Sequence, residues 1–406
     1  MALDIGEKIS SWISTSFLSK GYLSAETEIL GSSEKGEGYL GDIAFLKVKC
    51  LKKDGNAEEL DIVLKYGKLS ETLRKKLPVQ VAFRREVFIY GTLIPLFRNF
   101  EEERNVKILD NFLVKCFATL QTENEEVLVL QNAKAIGYEL HDRFQPLNFN
   151  HLKLTFENYG RWHAFGIAYR DQHPEEFRKR FSDLECVIIA LLPTLKSVID
   201  NSEQTLYAVL DEQGELDLKK RFKGLLKGSI YESILYYNSK REENCIVLHG
   251  DCWNNNFMFK YTDDDKTTPQ KVIFLDFQVS KIGSPVLDLS YHFYSTASGS
   301  EHQYFDTLLR IYHNSLSSTI KQLGSDPDKL FPYEELIRQW KEYSLFGCLL
   351  AMLILTVALS EKEDTFDIES MTDENINNMF EQLKKKNFTR LSSRMINVVK
   401  HFLGNL

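Results

Sequence analysis

The sequence predicts an α+β fold of two unequal lobes: a small N-terminal lobe with an antiparallel sheet and a helix, then a larger, mainly helical lobe. Three observations carry this expectation. Strand-type alternation is concentrated in the first third of the chain, a short cluster of strand-like runs recurs around residues 245–275, and most of the remainder has helical period. A chain of 406 residues with 43% hydrophobic content also exceeds what a single core usually serves. The boundary is expected near Asn132-Ala-Lys-Ala-Ile-Gly137, giving residues 1–132 and 133–406.

The N-terminal elements follow from local pattern. Gly36-Glu-Gly38-Tyr39-Leu-Gly41 is a G-x-G-x-x-G string, which in a dinucleotide fold would open a helix at its third glycine. Residues 42–50 instead alternate with β-branched and aromatic side chains, so strand, glycine turn and strand form a lid suited to phosphates. Asp54-Gly55 marks a tight turn. Residues 59–65 then alternate again, with Leu60, Ile62 and Leu64 on one face and Asp61, Val63 and Lys65 on the other. Lys65 is placed to meet phosphate and Val63 to meet a nucleotide base.

Residues 78–97 have helical period, with Val79, Phe83, Tyr90 and Leu93 on one stripe that also contains Glu86. A carboxylate on an apolar face is destabilising unless paired. Lys65 is the expected partner, and Arg84 and Arg85 are the local alternatives.

The chemistry concentrates after residue 245. A strand-type run at 245–248 leads into the polar loop His249-Gly-Asp251-Cys-Trp-Asn-Asn-Asn256. Runs at 257–261 and 271–275, joined by the polar turn 262–269, read as a hairpin with Asn256 and Asp276 at its open end. An amide oxygen beside a carboxylate suits a magnesium ion shared with nucleotide phosphates. A separate carboxylate must orient and deprotonate the acceptor hydroxyl. Asp251 is assigned to the acceptor, Asn256 and Asp276 to Mg2+, and His249 to bracing the loop. The pattern points to phosphoryl transfer from a metal-bound nucleotide.

On these strings the chain resembles the ecdysteroid kinase-like family of insects, itself similar to choline kinases and aminoglycoside phosphotransferases. The resemblance is carried by Gly36-Glu-Gly-Tyr39, Ile62-Val-Leu-Lys65, Phe83-Arg-Arg-Glu86, Leu128-Val-Leu-Gln-Asn132, the loop from His249 to Asn256, and Leu275-Asp-Phe-Gln278. It implies a protein-kinase-like fold and ATP-dependent phosphorylation of a hydroxyl on a small molecule, with ecdysteroids as the best-known acceptors. It also implies that adenine sits against backbone groups of the interlobe connection, the Gln131 carbonyl and the Ala133 N–H. Where the family carries an acidic pair there, this chain has Gln131-Asn132.

The rest of the sequence excludes other classes. A formal net charge of −8 and a pI near 5.7 argue against a nucleic-acid partner. Arg74-Lys-Lys76 and Lys384-Lys-Lys386 read as solvated helix faces. Six scattered cysteines without a C-x-x-C pair read as reduced core thiols. The N-terminus lacks a secretion signal, so a cytoplasmic location is expected. No Ala-Pro-Glu follows Asp276-Phe-Gln278, and the segment up to Asp288 is too short for peptide docking, so the expected partner is a small-molecule hydroxyl acceptor and no protein. Asp288 reads equally as a brace for the Asp251 loop and as an N-cap of the next helix.

Further helices are expected at 156–169, 184–199, 304–323, 333–359 and from 373 onward. The apolar run 345–359 falls short of the ~20 residues a bilayer span needs and reads as a buried helix. Trp253, Tyr291, Phe293 and Tyr294 lie near the loop, with core packing the default for each. A choline- or aminoglycoside-type acceptor, or a silent nucleotide- or ligand-binding module, remain alternative readings.

Overall fold

The N-terminal part is built on a five-stranded antiparallel sheet with strand order β1-β2-β3-β5-β4. Its strands are β1 (Ser24–Ser32), β2 (Gly41–Leu51), β3 (Ala57–Gly67), β4 (Cys116–Thr122) and β5 (Glu125–Gln131). These come from a computed structural model that describes residues 4–32, 40–181, 184, 186–240, 245–262, 265–361 and 372–406. Gly36, Gly38 and Tyr39 of the expected lid lie outside the described residues.

The alternation in β3 sorts the two faces of the sheet as expected. Ile62 and Leu64 are fully buried on the outer face, in a cluster with Ile13 and Phe17 of α1 (Ile5–Leu18). Val63 packs toward the main core, and Lys65 shares its face. On that inner side lie α2 (Glu71–Lys76) and α3 (Val79–Phe88). The helix continues through one π-helical turn, Ile89–Leu93, into α4 (Ile94–Glu102). The wide turn precedes Pro95, whose missing N–H interrupts the ordinary ladder. Arg74 departs from the solvated-face expectation. It grips the fully buried Glu126 carboxylate, with Nη2 at 2.8 Å from Oε2, because a charge that β5 buries needs a partner.

The helical part begins after β6 (Glu139–Leu140) with α5 (Phe149–Gln172), α6 (Pro174–Phe181), α7 (Val187–Glu212), α8 (Leu216–Leu225) and α9 (Ile230–Ser239). Four short strands follow: β7 (Ile246–Val247), β8 (Phe257–Lys260), β9 (Lys271–Phe274) and β10 (Ile282–Gly283). The chain ends in α10 (Pro285–Thr296), α11 (Phe305–Gln322), α12 (Pro327–Leu330), α13 (Tyr333–Ala358) and α14 (Asp373–Gly404).

The stretch from Pro327 to Ala358 is apolar and long enough to cross a membrane by length and composition, yet 78% of its most apolar window is buried inside the protein. Its residues, Phe346, Leu349 and Met352 among them, form part of the main core. All six cysteines are free.

Burial of neutral histidines gives the helical part a pH signature. His292 is fully buried between Thr155 and the Cys252 carbonyl, and burial lowers it to about 4. An unfolded chain takes up that proton near pH 6.5. With the folded value depressed, stability is complete above ~6.5 and is lost as pH falls toward about 4. Between pH 6.5 and 5, denaturant titrations should show the wild type losing more stability than His292→Gln, by on the order of 1–2 kcal/mol. Parallel curves for the two proteins would contradict this.

Candidate active site

Local folding brings two expected residues to one end of the β8–β9 hairpin. Phe257 pairs with Phe274, and the Leu275 N–H donates to the Asn256 carbonyl at 2.9 Å. Asn256 and Asp276 therefore flank the open end, as the polar turn between the strands implied. Asp276 adopts φ 64°, a left-handed conformation that Asp tolerates better than most residues. The reversal turns its carboxylate toward the sheet, where Oδ1 lies 3.0 Å from Lys65 Nζ.

Lys65 also meets Glu86 Oε2 at 2.7 Å. The lysine thus bridges an acid on α3 and the acid after β9, and neither Arg84 nor Arg85 takes Glu86. Burial pulls Lys65 down, but Asp276 and Glu86 outweigh it and hold the ammonium above the ordinary lysine value. Burial pushes the Glu86 carboxyl up against the pull of Lys65. Its second oxygen accepts the Phe277 N–H at 3.3 Å. The neighbouring Arg85, also buried, donates to the Ser280 carbonyl at 2.8 Å. Consecutive residues of α3 therefore hold both ends of the segment that follows Asp276.

The Asp251 loop is braced from beneath. Asp288 accepts the His249 N–H at 2.7 Å and the Gly250 N–H at 3.0 Å, and His163 Nε2 lies 3.2 Å away. Burial alone would raise Asp288, but these donors hold its carboxyl below the usual value. The open choice between brace and cap is resolved: Ser284 caps α10, its side chain accepting the Val286 N–H, and Pro285 occupies the first turn. Gly250 sits at φ 91°, and an added Cβ would lie 2.4 Å from the Val279 carbonyl oxygen, so only glycine allows the two segments to approach.

His249 braces the loop, as expected. Its Nδ1 accepts the Asp251 N–H at 3.2 Å, which leaves Nε2 protonated and donating to the Leu275 carbonyl at 2.9 Å. Burial lowers its pKa and keeps it neutral.

Asp251 receives Tyr291 Oη on Oδ1 at 2.9 Å and Asn256 Nδ2 on Oδ2 at 2.8 Å. Burial and the nearby Asp276 charge raise its carboxyl to about 6, against the donors Tyr291, Asn256 and Trp253. Because the Asn256 amide nitrogen faces Asp251, its oxygen remains as an acceptor for a cation. Among the described residues no group of three or more His, Cys, Asp or Glu could hold a metal ion. The donor set Asn256 plus Asp276 fits a magnesium ion that takes its other ligands from phosphates and water.

Further along the sheet, Val63, on the same face as Lys65, pairs with Phe45 and Leu130, and Gln131 ends β5 opposite Ile62. Ala133 follows and is buried. Asn132 Oδ1 accepts the Lys134 N–H at 3.1 Å, so the amide that stands in place of an acid shapes the connection itself. Gly41 opens β2, where a Cβ would lie 2.4 Å from the Phe83 ring, so that glycine is required for packing on α3. Phe293 and Tyr294 are core residues, Tyr291 is buried against Asp251, and Trp253 is partly exposed.

The sequence offered Arg85 only as a local alternative partner for Glu86 and Tyr291 only as core packing, and it left His163 without a role. Tyr291 carried a usable signal, since it follows Asp288 by three residues and so shares its helix face. Arg85 carried none, its partner lying far along the chain.

A lysine bridged between a helix acid and a hairpin-end acid, beside a braced carboxylate, is the arrangement of a kinase-like phosphotransferase on a two-part α+β fold. The chain belongs to the ecdysteroid kinase-like family, whose model matches residues 35–325. No curated protein matches it. Among solved structures, the GDP complex of wild-type aminoglycoside 2'-phosphotransferase-IIIa is similar at 12% identity, covering 99% of this chain and 100% of that one with a TM-score of 0.38. The GDP and kanamycin complex of APH(2")-IIia is similar at 14% identity, covering 85% and 97%, with a TM-score of 0.37.

Proposed function

We propose that the protein transfers the γ-phosphate of ATP to a hydroxyl of a small molecule, with an ecdysteroid or another steroid-like alcohol as the acceptor. The observation that carries this reading is the convergence of Lys65, Glu86 and Asp276 within 3.0 Å contacts beside the Asp251–Asn256 pair. Residues 1–132 would bind nucleotide and residues 133–406 would carry the base and the acceptor.

Lys65, held by Glu86, would bind the α- and β-phosphates, and the segment from Gly36 through Gly38 and Tyr39 to Gly41 would cover them. Val63 would pack against adenine, with the Gln131 carbonyl and Ala133 N–H recognising its edge. Asn256 and Asp276 would hold Mg2+, which supplies charge neutralisation for the transferring phosphate when bound. Asp251 takes the proton of the acceptor hydroxyl as that oxygen's lone pair forms a bond to the γ-phosphorus. The bond from the γ-phosphorus to the bridging oxygen breaks, and its electron pair leaves with ADP.

The reading is tested by incubating the protein with Mg-ATP and a panel of steroids, sugars and amino alcohols, and scoring gain of one phosphate by mass. A steroid product supports the full proposal, a choline- or sugar-type product moves the acceptor class, and no product with any acceptor sinks it. In parallel, Mg-ATP should raise the melting temperature of the wild type, and Asp276→Ala should abolish that rise. A rise that survives the substitution would remove Asp276 from the metal.

A further inference from the structure

We infer that Tyr291 is the residue that orients Asp251: its phenolic O–H fixes the carboxylate that takes the acceptor's proton, making Tyr291 a positioning residue of the transfer step. The inference rests on the kinase reading above. Tyr291 is only 3% exposed, and its hydroxyl donates to Asp251 Oδ1 at 2.9 Å. Asn256 donates to the other carboxylate oxygen at 2.8 Å and to the Asp251 carbonyl at 3.0 Å. With Tyr291 on one oxygen and Asn256 on the other, and Trp253 as a further donor, rotation of the carboxylate is fixed, which a single donor would leave free. A carboxylate offers about four lone-pair sites, so three donors still leave one for an incoming hydroxyl.

The rigidity of the donor comes from its helix. Asp288, one turn earlier on α10, is bound to the backbone N–H groups of His249 and Gly250. The same helix face therefore holds the loop twice, the main chain through Asp288 and the side chain of Asp251 through Tyr291. Packing alone would be served by phenylalanine, which buries no hydroxyl and so carries no polar group that must find a partner. Here the hydroxyl's partner is the proposed base itself.

Full-length Tyr291→Phe, Asp251→Asn and the double variant test this, with phosphate release from Mg-ATP in water and phosphate transfer to a polyhydroxylated steroid as the two assays. Tyr291→Phe is expected to lower kcat by about tenfold with KM for ATP unchanged, since a hydrogen bond to a charged group is lost at the reacting carboxylate. Added to Asp251→Asn, it should lower kcat no further, because there is no longer a base to orient. Wild-type kcat in Tyr291→Phe, or losses that multiply in the double variant, would overturn the inference.

If Phe impairs folding, Tyr291→His, which keeps an N–H donor, should retain more kcat than Tyr291→Leu. Equal losses in those two would also overturn it. A wild-type protein that releases no phosphate and phosphorylates no member of the acceptor panel would overturn the kinase reading and this inference with it. Wild-type turnover alongside an unaffected Tyr291→Phe would remove this inference alone.

Discussion

Asp251→Asn is expected to leave nucleotide binding intact while cutting turnover by ~10²-fold or more. The substitution is nearly isosteric, so the loop that Asp288 and His249 brace from beneath should keep its path. Lys65, Glu86 and Asp276 meet one another without using Asp251, so the Mg-ATP melting shift should persist. What disappears is the group that accepts the hydroxyl proton. An amide cannot do that, and the Tyr291 O–H would then donate to a neutral oxygen. Steady-state kinetics beside a thermal-shift titration separates the two effects. Turnover retained within a few-fold would remove Asp251 from the role of base, and loss of the shift would mean that it holds nucleotide.

The second large effect is one of stability. Asp288→Ala should destabilise the protein by about 3 kcal/mol or more, because it leaves two backbone N–H groups and a histidine N–H buried without an acceptor. Asp288 is 1% exposed, so water cannot substitute without opening the core. Asp288→Asn keeps one accepting oxygen and should fall between wild type and Ala. Denaturant midpoints for the three proteins measure this, and an Ala variant as stable as wild type would show that the loop is held by other contacts. Activity should fall with stability in both variants, since Gly250 is the residue before Asp251 and its N–H is one of the two released.

Much of the site was legible in the sequence because it rests on short-range pattern. Alternation along β3 put Lys65 on the face opposite Ile62 and Leu64, helical spacing put Glu86 on a buried stripe, and a polar turn between two short runs put Asn256 beside Asp276. Each of these needs only the neighbouring residues. The N-cap reading of Asp288 starts α10 too late for an equally local reason: Ser284-Pro285, a serine cap followed by proline, is itself a favoured helix start. That error left Asp288 with two possible roles.

What could not be read was contact between distant segments. The hydrogen bond from Arg85 to Ser280 spans 195 positions, and no periodicity encodes it. Arg74 looked like part of a basic surface run because its partner Glu126 lies on β5, far along the chain from α2. The glycine lid remains a sequence expectation except at Gly41, whose glycine is explained by Phe83.

The helix α1 has a practical corollary for anyone expressing this protein. Its Ile9, Trp12, Ile13 and Phe17 cover the side of the sheet opposite Lys65, while the family-matched span begins only at residue 35. Trimming to that span would strip the covering from Leu46, Val48, Ile62 and Leu64 and leave a greasy plane open to self-association. The homologous segment and the smallest soluble fragment are therefore different objects, and the latter includes residues that take no part in the chemistry.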